Sequence, residues 1–402
     1  MQSLRTEDYH NHEYNYNKTY YFEKGEEMKV PQFMPYVDME EYEAIKHCFE
    51  INWITEGPKA KEFSKQLCEL IGAKYGVFAP NGTLSLYLAL RAIGVGPGDE
   101  VIVPDFTFIA SANAVEMVGA RPVFVDVNED DLQINVEDCK RVLSDKTKAI
   151  MPVHIYGFTS NMTEVMQFAK DNELLVIEDA AQALGIQWDG KGCGSFGDIA
   201  SFSFFADKTL TTGEGGFVCT NNKETYEKLL YLRNQGRINR GTFVHPEIGY
   251  NFRMNDIQAA IGLTQMKKLP KIIELKQKNF NLYCDLLEDC QEVELLKPRT
   301  EVSPFIPFRV VLRVNEEDSC GLMEFMNENG VETRTFFYPL HLQPCFDLWA
   351  DDERHNKENF KVTENAYRRG VCLPSFAALT SEEIIYVCDA IKAYYYQKRK
   401  NA

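Results

Sequence analysis

LLVIEDAAQALG (residues 174–185), followed by ASFSFFADKTLTTGEGGFVCT (residues 200–220), carries the clearest signal of the fold. The first run is continuously apolar and ends in an acid, Asp179. The second reads as a strand that gives way to Lys208 and then to the glycine-rich turn 211–216. Apolar strands without polar alternation are buried on both faces, which is the signature of a parallel sheet covered by helices. The same pattern recurs on either side. Strands are predicted at 76–79, 101–103, 122–127, 149–153, 174–177, 199–204 and 216–220, with helical periodicity between them. Seven such strands alternating with helices predict an α/β domain with a mainly parallel seven-stranded sheet.

Further out, the chain divides into three parts. Residues 1–30 are polar, tyrosine-rich and acidic, and form an extension with no countable period. Residues 31–270 make the large domain, entered through helices at 39–50 and 60–71 that are separated by a Thr-Glu-Gly-Pro break at 55–58. At Leu269-Pro270 the character changes, and a charged helix (271–286), strands at 308–313 and 331–336, a helix at 319–329 and a closing helix at 381–397 predict a smaller α+β domain over 271–402. At 402 residues, 45% hydrophobic, the chain can bury a large core and a smaller one. A net charge of −17 leaves no general field for nucleic acid, so an anionic substrate needs a locally basic pocket. Eleven cysteines in no ligand spacing argue against a structural metal and against disulfides. With no membrane-length apolar run and no secretory signal, a cytoplasmic protein is expected, with neither membrane nor nucleic acid as partner.

Ligands of parallel sheets sit at the carboxyl ends of the strands, so the residues there carry the chemistry. Asn81-Gly82-Thr83 follows a strand and opens a helix; its backbone N–H groups suit a phosphate, or the turn is simply a tight one capped by Thr83. Asp179 is placed to keep a pyridinium nitrogen protonated, or else to cap the next helix. Gln182 lies on the same turn, within reach of a ring hydroxyl. Ser203 offers a hydroxyl to the phosphate, and of Phe106 and Phe108 one is a plate for an aromatic ring while the other packs in the core. Lys208, desolvated beside these groups, is what Schiff-base chemistry with pyridoxal 5'-phosphate requires.

The blocks 80–90 (PNGTLSLYLAL), 98–115, 153–157 (VHIYG), 176–185, 202–216 and 248–262 (IGYNFRMNDIQAAIG) resemble, in series, the DegT-type nucleotide-sugar aminotransferases, which share the aspartate-aminotransferase fold, fold type I. The likeness runs from about residue 30 to 395. It implies that Lys208 is the Schiff-base lysine, that Asp179 pairs with the ring nitrogen, that Gln182 meets the ring hydroxyl and that Phe108 stacks on the ring. It also implies that Gly82, Thr83 and Ser203 hold the phosphate together with Asn251 from the other subunit of a homodimer with shared sites. Within the family, the stretches 233–256, 334–344 and 373–376 look most like perosamine synthases and related sugar 4-aminotransferases. Those transfer an amino group from L-glutamate to a nucleotide-linked 4-keto-6-deoxyhexose, for surface polysaccharides. Ala206-Asp207 departs from the Gly-Asn usual before their lysine.

Arg237, Arg240, His245, Arg253, Arg334 and His341 are candidates for the substrate's phosphates or hydroxyls, or else surface charges and salt bridges. Two other functions remain open on these residues. One is a 3-aminotransferase acting on a dTDP- or UDP-linked 3-keto sugar, and the other is a pyridoxal-binding regulator without turnover.

Overall fold

The computed structural model describes residues 28–237, 243–349 and 352–401. Alternate residues of each apolar strand point to opposite faces, and the core divides accordingly. Phe78, Ile102, Val123, Ile150, Val176 and Phe202 belong to one buried cluster. Their neighbours Val77, Val101, Phe124, Ala149, Ile177 and Ile199 belong to another. A strand that must bury both faces cannot sit at the surface, so these strands form the central sheet.

That sheet has seven strands, in the order Tyr75–Ala79, Gly216–Thr220, Ile199–Ser203, Leu175–Asp179, Thr147–Ile150, Glu100–Pro104 and Arg121–Val125. Only Gly216–Thr220 runs against the rest, pairing antiparallel with both neighbours. All seven strands read from the sequence are present. Because Gly216–Thr220 reverses direction, the chain between it and Ile199–Ser203 turns back at the carboxyl end of the sheet, and Lys208 lies on that turn.

A second sheet of four antiparallel strands, in the order Glu294–Leu295, Val310–Arg313, Gly370–Leu373 and Arg334–Thr335, lies beyond it. The helices Glu316–Glu328 and Ser381–Asn401 accompany it, and Leu322, Ile384 and Ile391 share its buried cluster with Phe280 and Tyr283. Two features differ from the sequence reading. Residues 256–287 form one helix, with Pro270 inside it, so the change of character at 270 is not a helix boundary. Buried Leu269 and Ile272 on either side of the proline hold the helix through the missing hydrogen bond. Val30 forms an isolated bridge with Val331 and packs in the small sheet's cluster, so the chain near residue 30 lies with the small sheet rather than the large one. No described helix is long and apolar enough to cross a membrane.

Within the large part, a buried carboxylate ties the start of the long helix to the helix Pro58–Ile71. The helix Pro58–Ile71 begins at Gly57, which has no side chain to cap it. Asp256, fully buried at the start of the long helix, accepts from the N–H groups of Gly57 (2.8 Å), Ala60 (2.9 Å) and Lys59 (3.2 Å) instead. Asn255 caps Asp256's own helix, leaving Asp256 free for this contact. Removing the carboxylate strands these donors, Ala60 N–H buried and the other two partly buried, so Asp256→Ala is expected to lower unfolding stability by about 2 kcal/mol. Denaturant unfolding of the variant checks this, and a loss under about 0.5 kcal/mol contradicts it.

Candidate active site

The helix Gly82–Ala92 begins where Tyr75–Ala79 ends. Its N-cap is Asn81, not Thr83: the Asn81 side chain accepts from Leu84 N–H at 2.9 Å, and its carbonyl takes Ser85 N–H at 3.0 Å. The N–H groups of Gly82 and Thr83, at the positive end of the helix, are left for an anion. Ser203 stands against them so closely that a Cβ on Gly82 would lie 2.8 Å from Ser203 Cβ. The glycine is therefore a steric requirement, and the Ser203 hydroxyl joins the same cradle.

Asp179 ends its strand with its side chain turned into a cavity of about 430 Å³, shared with Gly82, Thr83, Phe108, Gln182, Ser203 and Lys208. Ser111 Oγ donates to Asp179 Oδ2 at 2.7 Å, and Ala181 N–H donates to Oδ1 at 3.2 Å. Burial nevertheless pushes the Asp179 carboxyl above its ordinary range, since these two donors, Lys208 and His154 only partly offset desolvation. Among the described residues no cation is in ion-pair contact with this carboxylate, so it is placed to receive one. Gln182 Oε1 is committed to Tyr156 N–H at 2.7 Å, so only its amide protons are left to meet a ring oxygen. Phe106 is buried in the core, whereas Phe108 is 58% exposed on the cavity wall, so of the two only Phe108 is placed to face a ring bound there.

The neighbouring acid, Glu178, faces away from the cavity and is fully buried. It accepts from the N–H groups of Gly194, Phe196 and Gly197 at 2.7 to 2.8 Å. His154 Nε2 lies 3.2 Å from Glu178, while its Nδ1 accepts from Ser160 N–H. The ring proton therefore sits on Nε2, and Glu178 anchors the strand end that carries Asp179.

Lys208 Nζ lies 3.4 Å from Asp207 Oδ1 and 4.4 Å from the centre of the Phe308 ring. Burial lowers its pKa, nearby Arg309 adds to the effect, and Asp207 and Asp179 oppose it. Arg309, which the sequence reading passed over, is 5% exposed and pairs with Asp207 Oδ2 at 2.5 Å. Its only sequence signal is an arginine at the start of an apolar strand. Lys276, also missed, is 6% exposed on the long helix, and burial pulls its pKa down to about 7, with Arg309 adding to the fall and Asp207 resisting it.

The folded chain thus binds fewer protons at Lys276 than the unfolded chain between about pH 7 and the ordinary lysine value of 10.5, so this group's contribution to stability rises with pH through that window. Lys276→Met is expected to stabilise the protein at pH 7 by on the order of 2 kcal/mol, with the gain shrinking as pH approaches 10.5. Thermal melts at the two pH values check the sign.

Of the candidates for substrate contact, Arg334 lines the cavity, its guanidinium 5.4 Å from the Phe33 ring centre. His341 does not. Its side chain is 2% exposed and stacked on Phe360, with Nδ1 2.7 Å from Asp105 and Nε2 3.5 Å from Glu364. Burial works to lower its pKa, but Asp105 and Glu364 outweigh burial and raise it. It is a structural pin.

Arg237 and Arg253 line a different, more open depression of about 1060 Å³ with Trp53, Glu56 and Arg233. His245 is exposed, its Nδ1 2.6 Å from the Gln235 carbonyl. Asn251 is exposed outside the Lys208 cavity and accepts from Arg253 Nε at 2.8 Å. Arg240 lies outside the described residues.

An anion cradle at a helix N-terminus, a buried acid facing the cavity and a lysine of lowered pKa beside it fit pyridoxal phosphate group by group. Gly82, Thr83 and Ser203 suit its phosphate, Asp179 its ring nitrogen and Lys208 its aldehyde. Together with the predominantly parallel sheet, this site defines a pyridoxal-phosphate enzyme of fold type I. The chain matches the DegT/DnrJ/EryC1/StrS aminotransferase family over residues 35–392 and belongs to it; it is an aminotransferase with pyridoxal phosphate as cofactor.

Among its relatives, a GDP-perosamine synthase of Escherichia coli O157:H7 is 37% identical over 370 residues, covering 92% of this chain and 99% of that protein. A UDP-N-acetyl-3-dehydro-alpha-D-glucosamine 3-aminotransferase of Acidithiobacillus ferrooxidans is 36% identical over 340 residues, covering 84% of this chain and 88% of that protein. The crystal structure of the aminotransferase TlmJ from Streptoalloteichus hindustanus superposes with a TM-score of 0.86 at 27% identity, covering 92% of this chain and all of that one (100%).

Proposed function

We propose that the protein transfers the amino group of L-glutamate to the ketone of a nucleotide-linked 4-keto-6-deoxyhexose, giving an amino sugar for polysaccharide synthesis. The observation that carries this reading is the 37% identity to a GDP-perosamine synthase over nearly that protein's whole length, with Lys208 and Asp179 in one cavity. When bound, the cofactor would supply an electron sink for proton removal at the donor's α-carbon. Lys208 Nζ takes the proton from that carbon in the first half-reaction and delivers one to the sugar carbon in the second; its lowered pKa favours the exchange. With the cofactor bound, Asp179 would hold the ring nitrogen protonated, and that cation would in turn keep Asp179 ionised. Gly82, Thr83 and Ser203 fix the phosphate end, and Phe108 covers the ring.

Asn251 completes the phosphate site from the other subunit of a homodimer. In support, it follows a stretch on which Phe243, Val244 and Ile248 are 85%, 67% and 79% exposed, apolar surface of the kind a second subunit covers.

The test incubates the holoenzyme and L-glutamate with GDP-, UDP- and dTDP-linked 4-keto and 3-keto sugars and reads the amino-sugar mass. Product from a 4-keto sugar is the expected result. Product only from a 3-keto sugar moves the assignment to the 3-aminotransferases, as the Acidithiobacillus relative would favour. No product from any sugar, with glutamate still consumed, ends the nucleotide-sugar reading.

A further inference from the structure

Asp207 and Arg309 lie 102 residues apart in the chain and meet beside Lys208. Asp207 Oδ2 takes Arg309 Nη2 at 2.5 Å and Oδ1 faces Lys208 Nζ at 3.4 Å, so one carboxylate bridges a guanidinium and the reactive amine. Neither charge is fully satisfied. Arg309 Nη1 is buried with no hydrogen-bond partner, and Asp207 Oδ1 has only the ion-pair contact to Lys208. Phe308 and Phe33 lie 4.6 and 5.8 Å from the guanidinium carbon, walling it from water. Buried Lys276 is within electrostatic reach of both partners, and burial has already cost it much of its basicity. Around Asp207, then, stand three basic residues, Lys208, Arg309 and Lys276, an environment that suits a second anion.

An amino-acid donor presents its carboxylate two bonds from its amine, and that amine must reach the place where Lys208 Nζ reacts. Asp207, a carboxylate poised between Lys208 Nζ and a planar guanidinium fork, already imitates that arrangement. We propose that Arg309 is the carboxylate anchor for the amino donor, and that Asp207 is a built-in competitor that holds Arg309 when no donor is present. The alternation suits an enzyme that must take a carboxylate in one half-reaction and an uncharged sugar ring in the other. With the donor bound, its carboxylate takes the Arg309 fork. With the sugar bound, Asp207 closes on Arg309 and no unpaired cation faces the hydroxyls. The proposal rests on the transaminase reading and adds the residue that recognises the donor.

The test measures binding of glutarate, which has a donor's carboxylates but no amine to react, to the holoenzyme by calorimetry. Arg309→Met is expected to weaken glutarate by about thirty-fold, the loss for one charged hydrogen-bonding partner, while Arg309→Lys weakens it less. Asp207→Asn removes the competitor and is expected to tighten glutarate several-fold. These opposite signs are what a purely structural ion pair would not give. In steady state, Arg309→Met raises KM for glutamate while KM for the sugar stays put.

Glutarate affinity unchanged by Arg309→Met, or weakened by Asp207→Asn, overturns the proposal. So does a loss of nucleoside-diphosphate binding in place of glutarate binding, which would assign Arg309 to the other substrate. Should Arg309→Met fail to fold, the Asp207→Asn arm decides alone, and unchanged affinity there overturns the proposal. Wild-type enzyme that consumes glutamate while Arg309 variants bind glutarate normally defeats only this inference; wild-type enzyme that transaminates no amino acid defeats the functional reading beneath it.

Discussion

Lys208→Ala is expected to lose at least about 10,000-fold in turnover, because it removes both the covalent attachment of the cofactor and the base that moves the proton. The fold should be unaffected. The Lys208 side chain makes no hydrogen bond that the turn depends on: the backbone N–H to Phe205 O bond is kept by alanine, and the amine contacts Asp207 and the ring of Phe308. Pyridoxal phosphate should still enter, held by Gly82, Thr83 and Ser203, but its absorbance should be that of the free aldehyde, and borohydride should no longer fix it to the protein. A variant that borohydride still labels would show that another lysine carries the cofactor, and buried Lys276 is the nearest alternative by chemistry.

Asp179→Asn is the second large effect, with kcat expected to fall by about 100- to 1,000-fold, the range found when one preorganised electrostatic partner is removed from an active site. Asparagine keeps the shape and not the charge: its oxygen can accept from Ala181 N–H while its amide group donates to Ser111 Oγ, which now serves as acceptor. The pH dependence gives an independent reading. Burial raises the Asp179 pKa in the absence of the cofactor, so its ionised form is lost at a higher pH than for an ordinary aspartate as the solution is acidified. Cofactor affinity of the apoenzyme should therefore weaken as pH falls through that raised value, since the protonated acid offers the ring no counter-charge. The Asn variant should bind weakly throughout, without this acid limb. If both proteins show the same acid limb, the titrating group is elsewhere.

Much of the site is legible in the amino-acid sequence. Apolar runs locate seven strands, and the rule that ligands sit at strand carboxyl ends selects Gly82, Asp179, Ser203 and Lys208, all of which line one cavity. Periodicity and turn chemistry are local, and these residues are fixed by which strand they end. The residues that the sequence hides are those defined by a partner. Ser111 reaches Asp179 across 68 positions, Asp207 reaches Arg309 across 102 and Asp256 reaches Gly57 across 199. His341 marks the opposite error: its neighbourhood resembles substrate-binding sequence, yet Asp105, 236 positions away, holds it in the interior.

The pattern of residues along the chain is enough to specify the strands, the site they end in and the lysine proposed for the chemistry, because those follow from the alternation of side chains along a buried strand. The charge around that lysine is set by packing in three dimensions. Whether an arginine or an aspartate is an anchor, a cap or a pin depends on which opposite charge the folded chain places against it, and in a buried cavity an unpaired charge is too costly to leave the choice open.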